Sequence, residues 1–441
     1  MAKQYAVKCI YDSIDNNRKK EILVEKVPGS KSITNRALLL ATLAKGETNL
    51  EGVLLSDDSR HFLECVKDLG VDIEINGRSH RVNIRGCNKV IPKKKASVYV
   101  GSAGTAARFL AATLGVSKGI YNMDASEQMR KRPMAPLLDS LKALGCKVEY
   151  AADGTEGHFP FTLVSNGFAN DSITINIDKS SQFLSALLIA AVLSPKDFIV
   201  NVEGSHGMAY IDMTIRMMKQ FGVSAEKSGD KSFVVKAGQN YHGQKYIIEP
   251  DASAAAYFYA MCPLLGIVVQ VPNLHFDSLQ GDVNFIHILE GIGCKAVDDS
   301  KGIVLYPPAD GKIKGIEVDM SACSDQAITL AALAPFAEAP ITIKGIGHIR
   351  VQESDRLSAI ATELKKMKIK VDEGKDYITI YPGKPEPSVV DTYEDHRMAM
   401  GFSLIGLRAE GIVIDNPNCC KKTFEQYFAK LDRVIDKLTL V

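Results

Sequence analysis

The stretch L-E-C-V-K-D-L-G-V-D-I-E-I, residues 63–75, carries the fold. Its apolar side chains first recur at the i, i+3, i+4, i+7 spacing of a helix that buries one face. Gly70 then ends the run, where a residue without Cβ can take the left-handed conformation of a helix C-terminal cap. After it the apolar and polar side chains alternate, as in a strand with one buried face. The pattern returns as L-L-D-S-L-K-A-L-G-C-K-V-E-Y (137–150), M-T-I-R-M-M-K-Q-F-G-V (213–223), F-I-H-I-L-E-G-I-G-C-K-A-V (285–297) and I-A-T-E-L-K-K-M-K-I-K-V-D (360–372). The turns fall at Gly70, Gly145, Gly222 and Gly293, and at Lys368 in the fifth copy, at intervals of 75, 77, 71 and 75 residues. Helix–glycine–strand is a common junction in α/β proteins; the regular interval is what marks a repeat here. One further interval reaches F-A-K-L-D-R-V-I-D-K-L (428–438), a sixth helix with nothing after it. The segment around Tyr5–Tyr11 could supply the missing strand, so the two chain ends would share one unit. The reading is α/β (α+β): six similar units of about 73 residues, each too short for a large domain of its own, gathered as two groups of three around two cores.

Composition narrows the function. The chain has 441 residues, with 53 Lys+Arg against 52 Asp+Glu, a formal charge of +1. A nucleic-acid binder needs a basic excess to meet phosphates, and the total offers none. Hydrophobic residues at 46% and charged residues at 24% are those of a folded globular protein, not a disordered one. The longest apolar stretches, Phe183–Leu193 and Phe258–Val271, fall short of the ~20 residues that span a bilayer, and the second contains Pro263. Met1-Ala2-Lys3-Gln4-Tyr5 lacks the basic-then-apolar layout of a signal peptide. Nine cysteines, an odd number without a C-x-x-C pair, argue against a disulfide framework and a zinc site and for reduced thiols in the cytoplasm. No Cys/His/Asp metal cluster is visible, so no metal and no cofactor is expected.

The polar motifs all stand where a turn or strand feeds a helix. In P-G-S-K-S-I-T-N-R-A-L-L-L-A (28–41), Lys31, Ser32 and Arg36 cluster in the first turns of an apolar helix. Cations there oppose the helix dipole, so they do not serve helix stability. Beside free backbone N–H groups they suit an anion, although the spacing is not that of a Walker A loop. G-S-A-G-T-A-A-R-F-L (101–110) has Gly101 and Gly104 for close backbone approach, with Thr105 and Arg108 as possible donors; a tight packing turn would read the same. Arg130-Lys131-Arg132 precedes another helix and is either a solvated loop or a carboxylate and phosphate clamp. Ser180-Ser181-Gln182 can cap a helix or hold a phosphate. Asp325, in S-A-C-S-D-Q-A-I-T-L, can be an N-cap or a functional acid. Arg350, Glu353, Asp355 and Arg356 mix signs within seven residues. In E-D-H-R-M-A-M (394–400), His396 alone reads as structural, and Arg397, entering an apolar helix, needs either Asp395 or a ligand anion as partner. Lys421 and Lys422 follow a turn. Cations outnumber the candidate acids Asp325 and Glu353, which suits one or two polyanionic small substrates with carboxylates kept for proton transfer.

Taken in order, these motifs resemble the 5-enolpyruvylshikimate-3-phosphate synthase family. The likeness runs nearly end to end: P-G-S-K-S-I-T-N-R, L-S-D-D (55–58), G-S-A-G-T-A-A-R, K-R-P-M (131–134), S-S-Q-F-L-S-A-L-L, P-D-A-S-A-A-A-Y-F (250–258), E-S-D-R-L, D-H-R-M-A-M and K-T-F (422–424). It implies transfer of the enolpyruvyl group of phosphoenolpyruvate to the 5-hydroxyl of shikimate 3-phosphate, without a cofactor, by a cytoplasmic monomer that binds neither nucleic acid nor membrane. The fold it implies has two domains, 28–250 and the discontinuous 1–27 plus 251–441. Each is three βαβαββ units, with hinges near 26–29 and 248–252 and the site in the cleft between them. Carried over by motif, Lys31, Asp325 and Glu353 would be catalytic. Lys31, Ser32, Arg36, Ser180, Ser181, Gln182, Tyr210, Asp325 and Gln352 would bind shikimate 3-phosphate. Lys31, Gly104, Arg132, Gln182, Arg356, Arg397 and Lys422 would bind phosphoenolpyruvate.

The chain departs from the family pattern at several points. Ser102 stands in a common Asn position, Gln352 in place of a lysine, His348 in place of an Asn, Phe109 in place of a Pro, and Gly207 in place of a serine, with Ser205 a possible substitute. The sister transferase acting on UDP-N-acetylglucosamine typically has Lys-Asn after P-G-S and a loop cysteine. Here Lys31-Ser32 and a cysteine-free loop at 121–133 oppose that reading. A catalytically degenerate anion-binding relative is the other rival, opposed by Lys31, Asp325 and Glu353. The resemblance further implies a glyphosate target, with Gly104 on the pocket wall.

Overall fold

The five helix-to-strand junctions of the repeat are built alike. At the first, Gly70 N–H donates to Lys67 C=O (2.8 Å) and Val71 N–H to Val66 C=O (3.2 Å). This paired closure satisfies the last carbonyls of a helix and needs a left-handed residue between the two donors. Gly145, Gly222 and Gly293 repeat it, and the four glycines have φ of 89°, 97°, 97° and 114°. Lys368 does the same without being glycine: its φ is 62°, and Lys368 and Ile369 donate to Lys365 and Leu364, both at 3.0 Å.

The structure, a computed structural model, describes residues 4–14, 21–152, 154–204, 207–229 and 231–439. They divide into two compact units, one of residues 29–249 and one of residues 1–28 with 250–441. In the 29–249 unit three sheets follow one plan. Lys95–Tyr99 pairs parallel with Gly119–Asp124, which pairs antiparallel with Phe161–Ser165, then Lys147–Tyr150. Ser172–Asn176, Phe198–Glu203, Ser232–Val235 and Ala225–Lys227 repeat that order. In the third sheet the leading strand, Lys245–Ile247, comes from the far end of the unit and pairs with Glu47–Glu51, followed by Arg81–Arg85 and Asp72–Asn76.

The other unit has two sheets of the same plan, led by Glu21–Leu23 and Ile316–Asp319. Its third sheet is three-stranded: Ser388–Val390 pairs parallel with Ile412–Asp415, and Gln4–Ala6 closes it antiparallel. The N-terminal segment thus supplies the strand that the last repeat lacks.

Two kinds of helix serve these sheets. One kind is amphipathic and leads to the repeat junction, as in Asp57–Asp68 or Arg356–Lys366. The other is buried nearly all round and central. Lys31–Leu43, Gly104–Gly115 and Gln182–Ala190 form the inner helices of one unit. Ala252–Leu265, Ala327–Leu333 and His396–Gly406 pack on one another in the other. Burying a leucine or phenylalanine side chain there contributes roughly 1.5–3 kcal/mol. The packing is close: a Cβ at Gly401 would lie 2.6 Å from Ile328 Cγ2, so Gly401→Val would push two inner helices apart. Lys31, Gly104, Gln182, Asp325 and Arg397 stand at or beside the N-terminal ends of these inner helices, while Arg132, Glu353, Arg356 and Lys422 come from turns and the start of an amphipathic helix. All nine cysteines are free thiols. Among the described residues no helix is long and apolar enough to cross a membrane.

Candidate active site

The sequence-predicted residues fall into two clusters, one in each unit. In the 29–249 unit Ser30 caps the helix Lys31–Leu43, its hydroxyl accepting from Ile33 N–H. That places Lys31 on the first turn, with Nζ 3.5 Å from Asp58 Oδ2. Arg36, one turn on, is buried. Its Nε donates to Thr214 Oγ1 (2.7 Å), Nη1 to Ser32 C=O (3.1 Å), and Nη2 to Tyr210 C=O (3.1 Å) and Ser185 Oγ (3.4 Å). These acceptors are neutral, and burial pushes the guanidinium down to about 10. Four of its five N–H groups are spent on the protein, which leaves one Nη1 N–H to offer a ligand. Tyr210 enters this cluster through its backbone carbonyl.

The helix Gly104–Gly115 brings the second motif to the same inner helices. Arg108 Nη1 donates to Gln182 Oε1 (2.9 Å) and to Gly104 C=O (3.0 Å), while Gln182 Nε2 donates to Thr105 Oγ1 (3.2 Å). Burial first, and then the charge of Arg132, pull the Arg108 pKa well below the usual value. Arg132 is near enough that a Cβ on Gly104 would lie 2.6 Å from its Nη1. Ser180 Oγ accepts from Gln182 N–H (3.3 Å), and Ser181 is buried at the helix start without capping it. Gly207 has φ 70°, and a Cβ there would meet Ser181 Oγ at 2.5 Å. A side chain at that position would be strained and would displace the Ser181 hydroxyl, and Ser205 lies outside the described residues.

In the other unit three carboxylates interlock with four possible cations. Asp325 lies in the turn Ser324–Gln326 and makes no cap. Its Oδ1 accepts from Arg356 Nη1 (2.9 Å) and its Oδ2 from Arg397 Nη2 (2.7 Å). Asp395 caps His396–Gly406 through Arg397 N–H (2.9 Å) and accepts from Arg356 Nε (2.7 Å). Burial works to raise Asp395, but Arg356 beside it holds it below the ordinary carboxylate range. Burial likewise opposes the Arg356 charge, and Asp395 and Asp325 more than offset it, raising Arg356. Glu353 Oε2 lies 3.0 Å from His396 Nδ1 and 3.9 Å from Arg356 Nη2, and its Oε1 lies 3.2 Å from Lys422 Nζ. Gln352 is half-buried beside Glu353, and His348 Nε2 lies 2.7 Å from Ser324 Oγ, in the turn that holds Asp325.

Several expectations change. Asp395 is the partner of Arg356 rather than of the Arg397 guanidinium, which reaches Asp325 instead. The capping role considered for Asp325 is not taken up: the helix Ala327–Leu333 starts without a side-chain cap, and the Asp325 carboxylate engages Arg356 and Arg397 instead. His396, expected to be structural, touches Glu353, and Arg108, named only as a possible donor, links Gln182 to Gly104. No local signal separates these from ordinary helix-start residues, because each acquires its partner across the fold. Glu353, Asp395 and His396 also bring three possible ligand atoms within 4.8 Å of one another, a cluster the sequence did not reveal. Arg356 and Lys422 bear on the same carboxylates, so an added cation would meet strong repulsion there.

The EPSP synthase (3-phosphoshikimate 1-carboxyvinyltransferase) family model matches residues 17–431. The chain is 42% identical over 422 residues to the 3-phosphoshikimate 1-carboxyvinyltransferase of Nostoc punctiforme, covering 96% of this chain and 98% of the relative. It is 40% identical to the protein of that name from Photobacterium profundum, covering 92% and 94%. An EPSP synthase structure from Acinetobacter baumannii superposes with a TM-score of 0.80 at 24% identity, covering 98% of both chains. The enolpyruvyl transferase NikO from Streptomyces tendae superposes with a TM-score of 0.73 at 16% identity, covering 96% of each. At these identities the structural likeness is one of fold.

Proposed function

Since the chain belongs to the EPSP synthase family, we propose that its two residue clusters serve a single reaction. The enzyme transfers the enolpyruvyl group of phosphoenolpyruvate to the 5-hydroxyl of shikimate 3-phosphate and releases phosphate. Protonation of the methylene carbon makes the neighbouring carbon electrophilic. The hydroxyl adds there and loses its proton, and the tetrahedral intermediate then expels phosphate as a methyl proton leaves. The C–O bond of phosphoenolpyruvate breaks. The chemistry asks for a proton donor, a base and cations around phosphate and carboxylate.

Glu353 is assigned the methylene proton, which it gives and then takes back. Asp325 accepts the hydroxyl proton and holds the shikimate hydroxyls, its carboxylate oriented by the guanidiniums of Arg356 and Arg397. Lys31 meets both substrates and shares in proton transfer. Ser32, Ser180, Ser181, Tyr210 and Gln352 bind shikimate 3-phosphate, with Arg36 contributing its remaining N–H and its charge. Gly104, Arg132, Arg356, Arg397 and Lys422 bind phosphoenolpyruvate, and Gln182 lies between the two. Arg108 orients Gln182. The enzyme acts as a cytoplasmic monomer on these small molecules, without nucleic acid or membrane.

The observation that carries this reading is the Glu353 carboxylate, with His396 Nδ1 at 3.0 Å and Lys422 Nζ at 3.2 Å. A partly buried acid held between a histidine and an ammonium has neighbours with which it can exchange a proton. Phosphate release with both substrates tests it. Wild type should turn over shikimate 3-phosphate and not UDP-N-acetylglucosamine. Glu353→Gln and Asp325→Asn should each lose on the order of 10²–10⁴ in kcat, the scale of general acid–base catalysis. A Glu353→Gln variant with near-normal kcat would place the proton elsewhere.

A further inference from the structure

We propose that Asp282, acting through the hydroxyl of Ser253, is a positioning residue for Arg397. Neither belongs to the clusters described above. Ser253 sits on the first turn of Ala252–Leu265, and its hydroxyl donates to Asp282 Oδ2. The same oxygen accepts from Arg397 Nη2 at 3.4 Å, the nitrogen that also donates to Asp325 Oδ2 at 2.7 Å. A serine hydroxyl has one proton and two lone pairs. With its proton committed to Asp282, its lone pairs face the guanidinium. Asp282 therefore decides which way Ser253 points, and Ser253 gives Arg397 Nη2 an acceptor besides Asp325.

The scaffold for this chain is rigid. Asp282 lies in the short turn Gly281–Asn284. Gln280, just before it, clamps that turn to the helix start: its Oε1 accepts from Ala252 N–H (2.9 Å) and its Nε2 donates to Pro250 C=O (2.7 Å). Helix stability does not require Asp282. Ala252 N–H is taken by Gln280, and Ala254 N–H by the capping Asp251 (2.8 Å). Burying an acid that caps nothing is costly, which points to a use for it. Burial first, then the charge of Asp325, push the Asp282 carboxyl up to about 7, with Arg397 opposing and Asp251 adding to the rise. The role thus calls for an acceptor oxygen more than for a full charge.

The inference rests on reading Arg397 as a phosphoenolpyruvate ligand, and the test keeps the two apart. Steady-state KM for each substrate, kcat and thermal stability are measured for Ser253→Ala, Asp282→Ala, Asp282→Asn, the double alanine variant and Arg397→Lys. Ser253→Ala and Asp282→Ala should each raise KM for phosphoenolpyruvate about 5–10-fold, the scale of one ordinary intramolecular hydrogen bond, with kcat within about twofold. Asp282→Asn, which keeps an oxygen for the Ser253 hydroxyl, should restore KM. The double variant should be no worse than either single one, since both break the same link. Additive losses, or an asparagine variant as poor as alanine, would overturn the proposal and leave Asp282 a structural acid. So would an unchanged KM for both substrates in Ser253→Ala while Arg397→Lys is impaired. A rise confined to KM for shikimate 3-phosphate would support the positioning chain and move Arg397 to the other substrate.

Discussion

Gly104 opens its helix without a side chain, and a Cβ there would come within 2.6 Å of Arg132 Nη1 and 2.7 Å of Arg108 Nη1. Both neighbours are the far ends of flexible side chains, so an alanine would displace guanidiniums rather than backbone. Gly104→Ala should keep its melting temperature within a few degrees, helped by the roughly 1 kcal/mol helix preference of alanine over glycine. It should raise KM for phosphoenolpyruvate severalfold and, if glyphosate takes the phosphoenolpyruvate site as the family resemblance implies, weaken its inhibition more, since the longer inhibitor needs the space the methyl fills. Inhibition competitive with phosphoenolpyruvate measures this, and an alanine variant as sensitive as wild type would refute the steric account. At this scale the sequence marks residue types and not their partners. Asp325 before an apolar helix has the look of an N-cap, and only the arrival of Arg356 and Arg397, 31 and 72 residues away, makes it an ion-pair centre. His396 is equally opaque until Glu353 is seen beside it.

Five junctions share one hydrogen-bond pattern, and four of them use glycine. The fifth holds Lys368 at φ 62° with an exposed side chain. A left-handed non-glycine residue costs about 1–2 kcal/mol, and glycine gives back about 0.5–1 kcal/mol through the freedom it loses on folding. Lys368→Gly should therefore stabilise the protein by roughly 0.5–1 kcal/mol, read by denaturant unfolding as a higher midpoint at unchanged slope. A destabilised variant would mean the lysine contributes contacts that outweigh the strain. The junctions were legible because all their ingredients lie within six residues: a helix end, a left-handed residue, and two donors reaching back. Even the fifth, lacking its glycine, was legible from the interval. The leading strands Glu21–Leu23 and Lys245–Ile247 were not. Each has three residues and joins a sheet whose other strands are remote in the chain, so no local periodicity announces it.

Six of the nine thiols are buried, and Cys9, Cys87 and Cys419 are partly so. Burial pushes Cys65 up to about 12, and Cys87 and Cys146 up to about 11, which keeps them as unreactive thiols near neutral pH. A thiol reagent at pH 8 should label no more than three cysteines in the native protein and nine after unfolding. Reductant should leave the melting temperature unchanged, because no disulfide links the chain; rapid native labelling of most thiols would contradict the burial. The sequence by itself determined the repeat, the helix caps, the alternation of strands and the chemical types at each inner-helix start, because these depend on neighbours within a turn or two. It also carried the family, since the ordered motifs are read residue by residue. Only the tertiary structure decided which acid meets which cation, that Arg36 spends most of its N–H groups on protein, that Asp395 serves Arg356, and that Asp282 reaches Arg397 through Ser253. Such pairings exist only within about 4 Å, and that proximity is set by how helices from distant parts of the chain pack, which no local pattern encodes.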